Sequence, residues 1–126
     1  MGLKPCLICL GRFLLALIFL MSGFGKAFRF QQTQQYMAAF GMPATAFFLV
    51  LAILVEILGG ISVVLGYRSR WGAFILSLFL TAATLIFHKD FSDPAQVAMF
   101  FKNLSVLGGL LLLFAYGPGE ISWDRK

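Results

Sequence analysis

Charge is scarce in this sequence. Asp, Glu, Lys and Arg make up 12% of its 126 residues, about half the share a soluble domain carries, too few to build a water-facing surface of ordinary size. Acidic residues are scarcer than basic ones, five against ten, which leaves a net charge of +5. The basic residues stand singly or in pairs between apolar runs, with no cluster or interleaved aromatic platform, and this excludes a nucleic-acid surface. Two cysteines, Cys6 and Cys9, are too few and too close together for a disulfide framework. The single histidine, His88, excludes a bis-histidine haem within one protomer. No phosphate loop, nucleophile triad or carboxylate pair is present, so no residue is assigned a catalytic role.

Apolar residues fill the space that charge leaves. They make up 60% of the chain, and the mean hydropathy is +0.92. A chain this short, folded in water, would bury only roughly two-thirds of its surface, so its solvent is the lipid bilayer and one domain, residues 1–126, is the ceiling. Four apolar runs are each near the length of about 20 residues that crosses a bilayer core. In lipid only helices and closed barrels satisfy their own backbone groups, and the alternation of barrel strands is absent. The reading is an all-α membrane protein, a four-transmembrane-helix bundle, with helices near 7–28, 43–66, 71–88 and 96–116.

The connections agree. Arg29 to Gln35 is polar and reads as a loop, and Pro43 sits where the first turn of a second helix tolerates it. Gly66 to Arg70 is a tight basic turn, Lys89 to Pro94 closes the third run, and Gly117-Pro-Gly119 ends the fourth. Lys4 followed by an apolar stretch resembles the start of a secretory signal, but Arg12 interrupts the run and no small-x-small site follows, so the first segment is expected to stay as a span. Both termini and the second connection share one side, with Lys4, Arg68, Arg70, Arg125 and Lys126. Lys26, Arg29 and Lys89 belong to the other, and this bias places both termini in the cytoplasm.

Polar and small residues within the spans fall on stripes. Arg12, Ala16, Phe19, Gly23 and Lys26 share one face of the first helix, and Thr45, Ala52, Glu56, Gly59 and Val63 one face of the second. Ser77, Thr81, Thr84 and His88 form a stripe on the third, and Lys102, Ser105, Gly109 and Leu113 a broader one on the fourth. Such stripes predict a polar bundle interior and a lipid-facing exterior.

Each polar residue has a plain reading beside a functional one. Glu56, deep in its span, marks a functional site or forms a structural ion pair with Arg12. His88 is an interfacial imidazole or a proton-relay and ligand-contacting group. Lys26 is expected to snorkel to the headgroups. Lys102 with Asn103 lies one to two turns inside the boundary of a segment that must begin near Val97 to span. Cys6 and Cys9 have redox-motif spacing without the strand-to-helix context of that chemistry, and read as small apolar filler. They belong to the opposite side from His88, so no metal site is expected.

The runs Gly11 to Ala16, Met21 to Lys26, Val55 to Gly60, Phe87-His88 and Phe101 to Leu104 with Gly108-Gly109 resemble the DoxX family of four-helix bacterial inner-membrane proteins, over nearly the whole chain. The resemblance implies a bundle in the bacterial inner membrane. Through members associated with a thiosulfate:quinone oxidoreductase or with oxidative stress, it also implies a redox-associated subunit with a membrane or soluble redox partner protein. It carries Arg12, Lys26, Glu56, His88, Lys102 and Asn103 over as the polar set and lends the cysteines no role. The resulting expectation is a cavity lined by Ser22, Lys26, His88, Lys102 and Asn103, with Glu56 at its floor. Its ligand would be quinone-like, held by hydrogen bonds to its carbonyls. The alternative is a non-catalytic module that moves a small solute or protons, or anchors and assembles a partner. Both are compatible with an oligomer.

Overall fold

The computed structural model describes residues 2–87 and 91–122. His88 and Lys89 lie outside the described residues. Five helices follow one another, α1 Leu3–Phe28, α2 Phe30–Ala39, α3 Thr45–Leu65, α4 Ser69–Phe87 and α5 Pro94–Tyr116. There is no strand among the described residues. All but α2 are long and apolar enough to cross a membrane, which makes this an all-α, four-span bundle.

Local chemistry sets the helix ends. Gly66 takes φ +70° after α3, its N–H donating to Val63 O at 3.3 Å and that of Tyr67 to Ser62 O at 3.1 Å. This paired closure caps a helix with a left-handed residue, a place glycine fills without a Cβ penalty. Asp93 caps α5 by accepting from the Ala95 N–H at 3.0 Å, and Pro94, lacking an N–H, occupies the first position. Pro43 instead precedes α3, which starts at Thr45.

The expected loop from Arg29 to Gln35 is mostly helix. Glutamine, alanine and methionine are good helix formers, and Thr33 with Tyr36 and Met37, three and four residues after it, put α2 across the end of the bundle with Met37 buried. Gln31, Gln32 and Gln35 stay exposed. Polarity here marks an interfacial helix with one wet face.

Two of the seams between spans are zipped by glycine. A Cβ on Gly23 of α1 would stand 2.7 Å from Ile57 of α3, and one on Gly60 of α3 would stand 2.7 Å from Leu20 of α1. Between α3 and α4, a Cβ on Gly59 would meet Leu76 at 2.8 Å and one on Gly72 would meet Ser62 at 2.6 Å. Side chains join α4 to α5, where Asn103 Nδ2 donates to Thr84 Oγ1 at 2.9 Å. Since lipid offers no hydrophobic drive between helices, such close backbone approach and interhelical hydrogen bonds hold a bundle together. The core of Ala16, Phe19, Val63, Leu76, Leu110 and Leu113 fills the half nearer the termini.

Candidate functional site

The cavity lies in the other half, between all four spans and under α2. It has a volume of about 630 Å³, within the range of roughly 300–1,000 Å³ usual for small-molecule sites. Its walls are mostly phenylalanine, leucine, alanine and methionine, into which a few polar groups converge.

Glu56 is the deepest of these. It is 3% exposed, and its Oε1 accepts from Lys26 Nζ at 2.5 Å. The same ammonium donates to Ser22 Oγ at 2.8 Å, one turn earlier in α1, and lies 5.8 Å from the centre of the Phe79 ring. Three partners therefore hold Lys26 inward, and the expected snorkelling does not occur: a carboxylate in reach outweighs the headgroup region, because burying Glu56 unpaired costs several kcal/mol or more.

The expected Arg12–Glu56 pair is absent as well. Gly23, whose Cβ position is 3.3 Å from Glu56 Cβ, is eleven residues beyond Arg12, roughly 16 Å along a helix. Arg12 turns the other way. Its Nη1 donates to Val63 O at 3.2 Å and Val64 O at 3.3 Å, carbonyls of the last turn of α3, and its Nη2 to Ile121 O in the tail. The stagger between α1 and α3, set by the glycine contacts, keeps Arg12 out of reach of Glu56.

On the opposite wall, Asn103 is buried and spends one amide N–H on Thr84, whose own hydroxyl donates to Leu80 O at 2.7 Å. Lys102 lines the cavity from the same helix but is largely exposed. Ser105, expected beside it, is exposed and donates to Phe101 O at 3.1 Å. The buried stripe of α5 thus runs through Asn103, Leu110 and Leu113. On α4, Ser77 and Thr81 donate to carbonyls one turn back, Ala73 O at 2.7 Å and Ser77 O at 2.8 Å. They leave the cavity's polar set for local reasons, because short hydroxyl side chains satisfy themselves within a helix.

Ser22, Lys26, Glu56, Lys102 and Asn103 accordingly all border one cavity. Sequence reasoning missed its roof, where the Tyr36 and Phe40 rings meet that of Phe87 at 5.6 and 4.9 Å and fasten α2 to the end of α4. The signal was the spacing of Thr33, Tyr36 and Met37 within the polar run. Cys6 is exposed and Cys9 partly so, both as free thiols in the first two turns of α1. No cluster of metal-ligating side chains occurs among the described residues.

Comparison with known proteins agrees with this architecture. The DoxX family model matches residues 7–89. The inner membrane protein YqjF of Escherichia coli K12 is 38% identical over 118 residues, covering 94% of this chain and 89% of its own. The inner membrane protein YphA of the same organism is 36% identical over 129 residues, covering 98% and 91%. No solved structure matches the chain. With its four spans, this makes it a multi-pass inner-membrane protein, and the chain belongs to the DoxX family.

Proposed function

We propose that the protein is a redox-associated membrane subunit that holds a quinone-like ligand in this cavity and serves a membrane or soluble redox partner. One observation carries the reading: an apolar cavity of about 630 Å³ with Lys102 and Asn103 on one wall and the Lys26–Glu56 pair at its floor. Such a site suits a flat ring with oxygen acceptors, because the phenylalanine and methionine walls take the ring while ammonium and amide donors fix the carbonyls. The protein's part is to bind, orient and exclude water; the electron chemistry belongs to the ligand. Both termini lie in the cytoplasm in this reading, which puts the cavity in the outer half of the membrane.

The test is extraction in mild detergent followed by identification of co-purifying small molecules. An isoprenoid quinone at near one equivalent supports the reading. A ligand-free preparation that binds no added quinone contradicts it.

The Lys26–Glu56 pair supports a second reading, a module for proton or small-solute movement, because an intramembrane ion pair bordering a cavity is a common element of proton paths. Sealed liposomes containing the protein would then dissipate an imposed pH gradient faster than protein-free ones, and Glu56→Gln would abolish the difference.

A further inference from the structure

A cavity enclosed in a bundle needs an entrance, and the packing of the spans leaves one. Towards the termini the cavity meets the packed core of Ala16, Phe19, Leu110 and their neighbours. At the other end it is roofed by α2, fastened by the rings of Tyr36, Phe40 and Phe87. The sides are the four seams. Glycine contacts close the α1–α3 seam beside Glu56 and hold α3 against α4 below the cavity, and the Asn103–Thr84 bond closes α4–α5 at the cavity's level.

The seam between α1 and α5 is the loosest of the four, its helices approaching at few points. One of these is Leu15 against Gly109, where a Cβ on the glycine would be 3.2 Å from the leucine, at the midpoint of α1 and past that of α5. Beyond it, towards α2, the cavity is lined by Ile18, Ser22 and Lys26 from α1 and by Met99, Lys102 and Val106 from α5. Lys26 is 28% exposed and Lys102 more so. Among the described residues no hydrogen bond or ion pair engages Lys102. An unpaired ammonium eight residues into a membrane span is costly, and its cost falls when an oxygen acceptor is held beside it.

We infer that the cavity is loaded sideways from the bilayer, through the α1–α5 seam, and that its occupant is an amphiphile whose oxygen-bearing head enters past Lys102 while its tail stays among the lipids. This rests on the cavity being a ligand site, as proposed above, and adds the route and the tail. A cavity of about 630 Å³ encloses a ring-sized head and the start of a chain, so a long tail must leave it, and the roof and core block the two ends.

The experiment uses the full chain in proteoliposomes and a decyl benzoquinone with a diazirine at the end of its tail. The tail end is cross-linked by light, with and without excess unlabelled decyl benzoquinone, and the labelled residues are located by mass spectrometry. Competable label on lipid-facing residues of α1 and α5, such as Met21 or Phe101, is the expected result. Competable label on α2 or on Met42 and Pro43 would overturn the lateral route while leaving the ligand site standing. Label that no competitor reduces would overturn both.

Discussion

Lys26 Nζ lies 2.5 Å from Glu56 Oε1, beside a close approach of α1 and α3 where a Cβ on Gly23 would be 3.3 Å from that of Glu56. The pair is therefore part of the helix contact, and it also forms the floor of the cavity. A carboxylate this deep in a span would be expensive alone.

Removing one partner should accordingly hurt more than removing both. Lys26→Met leaves Glu56 unpaired, and its cost should fall at or below the roughly 3–5 kcal/mol typical of a broken buried pair, because Lys26 is 28% exposed. Denaturation of the detergent-solubilised protein, run as a double-mutant cycle with Glu56→Gln, measures the coupling. Additive losses would show that the pair contributes nothing beyond its separate members.

Two glycines in similar sequence settings should behave oppositely. Gly59→Ala forces a Cβ to within 2.8 Å of the buried Leu76, whereas the Gly108 Cβ position has nothing within 4 Å. The first variant should unfold at lower temperature than wild type. The second should be neutral or stabilised by up to about 1 kcal/mol, the helix-propensity gain of alanine over glycine. Equal behaviour would contradict the close α3–α4 approach.

Arg12 ties three segments, through Val63 O, Val64 O and Ile121 O. Arg12→Met should release the tail, with faster amide exchange over residues 117–122 and little change in α4. Arg12→Lys should restore only part of the protection, because a point charge cannot reproduce the arginine fork. Unchanged exchange in Arg12→Met would mean the tail is held by other contacts.

Topology is tested by reporters. One fused after Lys126 should report the cytoplasm, and one inserted after Gly41, an exposed turn residue at φ +82°, should report the outside. The reverse pattern would place the cavity in the inner leaflet half.

Much of this architecture is legible in the residue pattern, because a span has no alternative way to satisfy its backbone in lipid. The buried face of α1, through Arg12, Ala16, Phe19 and Gly23, follows from helical spacing alone. Partner choice does not. Glu56 could be seen to need a cation, but which one depends on stagger, and stagger is set by contacts such as Gly23 with Ile57 and Gly60 with Leu20, which no single helix reveals. Helix α2 was hidden for another reason: its glutamines carry the polarity of a loop, while the side chains that matter are Thr33 and those three and four residues after it.

The proposed ligand binds through its oxygen acceptors, and loss of Lys102 bears on this above all because its ammonium engages no other group among the described residues. The measurement is the affinity of the protein in lipid nanodiscs for decyl benzoquinone, wild type against Lys102→Met, which keeps the stem's bulk and removes the donors. A hydrogen bond from a charged group contributes about 1.5–3 kcal/mol, so binding should weaken by roughly tenfold or more while the bundle stays folded. Equal affinity in the two proteins would rule out a ligand held by Lys102.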